Sequence, residues 1–110
     1  MKRKNLSFDE QLAEEAKAVS DFLAFYSVER DLSRIIYSDW TARDVLSHVA
    51  SWHMSFARNL LDAVNHIKPS PFKGSLTEVN EREVQRLSQF PVSDLKENIR
   101  LAQEQIEQNI

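Results

Sequence analysis

The side chains most able to do chemistry in this sequence crowd into one stretch, residues 40–52: Trp40, Thr41, Asp44, His48 and Trp52. An imidazole such as His48 can move protons near neutral pH or ligate a divalent ion. Indoles on either side of it can line an apolar pocket and orient a polar ligand through their N–H groups. Each residue also has a purely structural reading. His48 sits at the margin of an apolar stripe, packed on Trp52, and the tryptophans anchor the corner between the first two helices. Asp44 has the chemistry of a general base, but Thr41-x-x-Asp44 is capping-box spacing. A first-turn cap accounts for the carboxylate and keeps it ionised.

The other candidates are weaker. His53 flanks the far side of the stripe, toward solvent or an interface, and His66 reads as a favourable charge near a helix C-terminus. His48 and His53 are five residues apart, about 140° around a helix, so one straight helix cannot aim both at a single ion. Glu14 with Glu15, and Glu81 with Glu83, read as carboxylates on solvated helix faces. Arg82 and Arg86, four apart, can bind an anion or simply face water. The absence of cysteine excludes disulfides, thiolate metal sites and thiol nucleophiles, and the lone Gly74 excludes a glycine-rich phosphate loop.

Helices must position these residues, because one glycine and three prolines are too few for a strand-and-turn fold. The first helix is expected over residues 7–26, with Ser7 as cap and Phe8, Leu12, Ala16, Val19, Leu23 and Tyr26 as its stripe. A short helical turn is expected over residues 27–32. Thr41 then opens a second helix to about His66, where Pro69 and Pro71 end it. Its stripe of Val45, Val49, Trp52, Phe56 and Leu60 is expected to face the core. After a crossover loop, Ser75-Leu76-Thr77-Glu78 caps a three-turn helix to Leu87, with Leu76, Val79, Val84 and Leu87 inward. Phe90-Pro91 breaks it. Ser93 opens a last helix whose Val92, Leu95, Ile99, Ala102 and Ile106 form a heptad seam. The expected fold is all-α: an up-down bundle of three long helices plus a short connecting helix.

The 110 residues suffice for one domain, and 42% apolar with 28% charged residues disfavours disorder. A net charge of −3 gives no drive toward nucleic acid or an anionic membrane. The basic start Met1-Lys2-Arg3-Lys4 precedes no apolar run, so a solvated tail is expected rather than a signal peptide or membrane anchor. A cytoplasmic location is the matching expectation.

Trp40, Thr41, Asp44, Val45, Leu46, His48 and Trp52 match the pattern Trp-(Ser/Thr)-x-x-Asp-(Val/Leu)-Leu-x-His-(hydrophobic)-x-x-Trp. On these residues the chain resembles the DinB-like four-helix-bundle superfamily, which includes ClbS/DfsB proteins and the N-terminal domains of mycothiol-dependent maleylpyruvate isomerases. Val79-Asn80-Glu81-Arg82 and the helix after it look like the family's third-helix region. The resemblance implies a bundle cut before its final helix. It also implies His48 as one of three histidine ligands in members that hold a divalent metal such as zinc or nickel. The other two come from a His-x-x-x-His pair that this sequence lacks. Two readings follow: a non-catalytic assembly or small-molecule-binding module with Trp40 and Trp52 at the ligand, or a metal-dependent enzyme or thiol-cofactor transferase with His48 in an intersubunit site. Open seams on the helices imply a homodimer.

Overall fold

The computed structural model describes residues 7–28 and 30–110. The basic start, expected as a solvated tail, lies outside them. Four helices follow in order: α1 (Phe8–Phe25), α2 (Ala42–Val64), α3 (Leu76–Leu87) and α4 (Val92–Asn109), with α3 the short one. The all-α expectation holds, apart from one small antiparallel ribbon of β1 (Ile35–Tyr37) and β2 (Trp40–Thr41). None of the described helices is long and apolar enough to cross a membrane.

Helix α1 starts because the Ser7 hydroxyl accepts from the Glu10 amide at 3.1 Å, with Asp9 and Glu10 against the helix dipole. Its stripe has the expected phase but is only half covered, and no residue within α1 is fully buried. The helix is fastened at its end instead. Tyr26 is 6% exposed, and its hydroxyl donates to the Ala42 carbonyl at 2.7 Å.

The helical turn expected over residues 27–32 is absent among the described residues there, which form turns and bends. Asp31 explains part of this, because its carboxylate accepts from both the amide and the hydroxyl of Ser33 and so competes with helical bonding. The β-branched and aromatic run Ile35-Ile36-Tyr37 then pairs with β2 across Ser38, which takes φ +48°. That pairing prepares the start of α2. The amides of Ala42 and Arg43 donate to the carbonyls of Arg34 and Leu32, each at 3.0 Å, and Asp44 N–H donates to Thr41 Oγ1 at 3.0 Å. Three of the four orphan amides of the helix thus have partners. Asp44 completes the box by accepting from Thr41 N–H at 3.1 Å.

The core face of α2 is not the expected one. Leu46, Ala50 and Ala57 are buried, together with Ser47, Ser51 and Ser55, whereas Phe56 is 55% exposed and Val45, Val49, Trp52 and Leu60 are half-buried. Apart from Leu46 the inward side chains are small, which lets α2 lie close against α4, on which it packs most extensively, and then on α3. The opposing seam on α4 is the expected one, with Leu95, Ile99, Ala102 and Ile106 buried. Helix α3 contributes Val79 and Leu87; Leu76, expected inward, is 66% exposed.

Two devices set the helix ends. Arg43 donates to the carbonyls of Leu87, Ser88 and Phe90, placing a cation at the C-terminus of α3. At the end of α2, His66 takes φ +60°; its amide bonds to Ala63 O at 3.2 Å and that of Ile67 to Asp62 O at 2.7 Å, a Schellman stop. The radius of gyration is 15.2 Å, against about 13 Å for a closed domain of this length. The bundle is open along α1.

Candidate functional site

The capping arrangement that starts α2 also fixes the direction of the residues one turn further on. Val45, His48 and Trp52 project from one flank of the helix into a cavity of about 670 Å³. The ribbon supplies Ile36, Tyr37 and Trp40 on one side, and α3 supplies Leu76 and Asn80 on the other. The volume lies within the usual range for small-molecule pockets, and the lining is mostly apolar and aromatic, with polar groups from Tyr37, His48 and Asn80.

His48 lies between the two indoles. Its ring centre is 4.8 Å from that of Trp40 and 6.4 Å from that of Trp52, both edge-to-face. Burial holds the imidazole below the ordinary histidine pKa, against a smaller opposing pull from the Asn80 side chain, so it is neutral at pH 7. Nδ1 is enclosed and has no hydrogen-bond partner. A buried N–H without an acceptor costs more than a buried lone pair, so the proton belongs on Nε2. Trp52 is held on both sides: its Nε1 donates to Asn80 Oδ1 at 2.8 Å, and Phe72 meets its ring edge-on at 5.0 Å. Among the described residues nothing accepts from the Trp40 indole N–H. The pocket therefore offers stacking surfaces, one free indole donor and a neutral imidazole.

Trp40, His48 and Trp52, singled out in the sequence, are brought together here. Asn80 was not singled out, and neither were Ile36 and Tyr37. Asn80 meets Trp52 across 28 residues of chain, and no local spacing encodes that bond. His53 faces another way. Its Nε2 lies 2.8 Å from Gln103 Oε1, an atom that only accepts, so Nε2 carries the proton. Gln103 in turn donates to Glu15 at 2.5 Å and to Glu107 at 3.2 Å, a polar layer joining α1, α2 and α4.

Asp44 is occupied as a cap, as its spacing indicated. Glu83, expected on a solvated face, is buried at 5% exposure. It accepts from Ser51 at 2.8 Å and from Arg86 at 2.8 Å. The Arg86 pair holds its carboxyl below the usual range and outweighs the opposing effect of burial. Among the described residues no group of three His, Asp or Glu side chains can hold a metal ion. The neighbours of His48 in the pocket are an amide and indoles, poor partners for zinc, which needs about three protein ligands in a catalytic site. The described residues of one chain do not fit such a centre.

Comparison of the chain with protein-family models, with curated proteins and with solved structures gives no significant match.

Proposed function

We propose that this protein is a DinB-like helical bundle that binds a small, neutral, largely apolar or aromatic molecule between Trp40 and Trp52. The observation that carries this reading is the aromatic cavity itself, whose polar groups are all uncharged: an imidazole, an amide, the Tyr37 hydroxyl and indole N–H groups. Uncharged donors and acceptors orient a neutral ligand, and none of them balances a charged one. The half-covered α1 side supports a second part of the proposal, a homodimer in which the partner covers that surface.

Both tryptophans line the cavity, so intrinsic fluorescence reports its occupancy directly. Titration with the neutral probe phenylnaphthylamine is expected to saturate. Leu76→Arg places a charge at the rim from an exposed position and is expected to weaken binding at least tenfold with little effect on folding. Equal binding by wild type and variant would overturn the assignment. Zinc and nickel titrations of wild type and His48→Ala address the other reading: stoichiometric metal lost on substitution would favour a metal-dependent enzyme. Light scattering after size exclusion tests the dimer, and a monomer at high micromolar concentration excludes it.

A further inference from the structure

On the far side of the Trp52–Phe72 pair lies a second cavity, of about 200 Å³, with the opposite chemical character. Ser51, Ser55 and Arg58 reach it from α2 at steps of four and three. Arg86 reaches it from α3, and Met54 and Phe72 close it with apolar surface. We propose that this cavity is a binding site for a small oxyanion, a carboxylate or phosphate group.

The charges around it are unequal. Arg86 spends Nε and Nη2 on Glu83, which leaves Nη1 to donate elsewhere. Arg82 lies 3.9 Å from the same carboxylate. Arg58 has no carboxylate within 4.0 Å among the described residues; one of its nitrogens donates to the Ser70 carbonyl at 3.3 Å and the rest stay available. The two guanidinium groups that line the cavity, set against the one Glu83 carboxylate, leave an excess of positive charge at this spot, on a chain of net charge −3.

The donors are also placed for an anion. The Ser70 amide is tied to Asn59 Oδ1 at 3.1 Å, so the loop that holds Arg58 is itself held. Ser55 is nearly buried, and its hydroxyl receives only a long 3.5 Å contact from Asn59, which leaves its own proton to donate. Guanidinium forks match the paired oxygens of carboxylate and phosphate. The volume equals roughly six waters at about 30 Å³ each. That is room for one such group and a few waters, and too little for a nucleotide. Both arginines are exposed, so affinity must fall as salt rises.

The test is a titration of the full chain with sodium phosphate and, separately, sodium acetate, followed by amide chemical shifts, against sodium chloride at matched ionic strength. Saturable shifts at Ser51, Ser55 and Arg58 are expected. Arg58→Gln, a surface change, is expected to weaken binding at least tenfold. Glu83→Gln removes the one opposing charge and is expected to tighten it several-fold. Tighter binding of phosphate than acetate identifies a phosphate group as the ligand; the reverse order identifies a carboxylate. Shifts that are no larger than with chloride, or that survive Arg58→Gln unchanged, overturn the proposal. Leu76→Arg leaves this cavity intact and should not alter phosphate binding, so the two sites succeed or fail separately.

Discussion

The two flanks of α2 divide the work of the molecule by side-chain size. On one flank Leu46, Ala50 and Ala57 lie against α4 with Ser47 and Ser51 beside them, and none of these exceeds 2% exposure. On the other, Val45, His48 and Trp52 face a cavity closed only by the ribbon and α3. The small side chains permit close helix contact, Leu46 fills the centre of the core, and Val45, His48 and Trp52 are left where space remains. Hydrophobic bulk alone therefore does not mark the core face of this helix. A polar seam follows the same logic: Ser51 is buried because Glu83, held by Arg86, reaches across to it.

If that division is right, the packed flank should respond most to truncation. Leu46 is completely buried, so Leu46→Ala is expected to cost about 2–5 kcal/mol, read from urea denaturation. An equal loss from Val45→Ala would erase the distinction between the flanks. The next largest effect is expected at the polar seam. Arg86→Ala leaves the buried carboxylate with only Ser51 and the more distant Arg82, and should cost about 1–3 kcal/mol. Glu83→Gln keeps the shape and leaves Arg86, already half in water, free to be solvated, so it should cost less. The order of the two denaturation midpoints checks this.

Acidification should weaken both flanks in sequence. The folded-state pKa of His48 is held below its ordinary 6.5 by burial, so its contribution is complete above that value and is lost as pH falls through the folded value. Glu83, held below its ordinary 4.5 chiefly by Arg86, adds a second loss beginning below 4.5. Denaturation midpoints against pH should therefore fall in two steps. His48→Gln should remove the upper step, and Glu83→Gln should reduce the lower, to which Asp31 and Glu97 also contribute. A single step in the wild type would contradict one of the two environments. The smallest expected change is a gain. His66 occupies a left-handed position that favours glycine, so His66→Gly is expected to raise stability by about 1 kcal/mol. No gain in denaturation midpoint would mean that the histidine makes up for its strain elsewhere.

Three helix starts are legible because caps are local, whereas α4 begins at Val92 after Pro91 with no side-chain cap, and not at Ser93. Ser7, Thr41 and Ser75 each accept from the amide three residues on, as their spacing indicated. The α4 seam was legible too, since its apolar residues are also its buried ones. The large residues of α2 do not by themselves mark its core face, because burial there is decided by how closely α4 approaches. Glu83 looked solvated beside Glu81; a partner more than thirty residues earlier, Ser51, buries it. The ribbon leaves no trace in the sequence because its strands, of three and two residues, are too short to show an alternating pattern.

The sequence by itself determined the helical class, where three of the four helices are capped, and that Trp40, His48 and Trp52 share one short stretch. These depend on residues within a turn or two of each other. Only the tertiary structure decided which flank of α2 became core, that Asn80 would meet Trp52, and that Arg58 and Arg86 would share a cavity. Those outcomes depend on distances between helices, which are fixed by the joint packing of all side chains at the contact and not by any one segment.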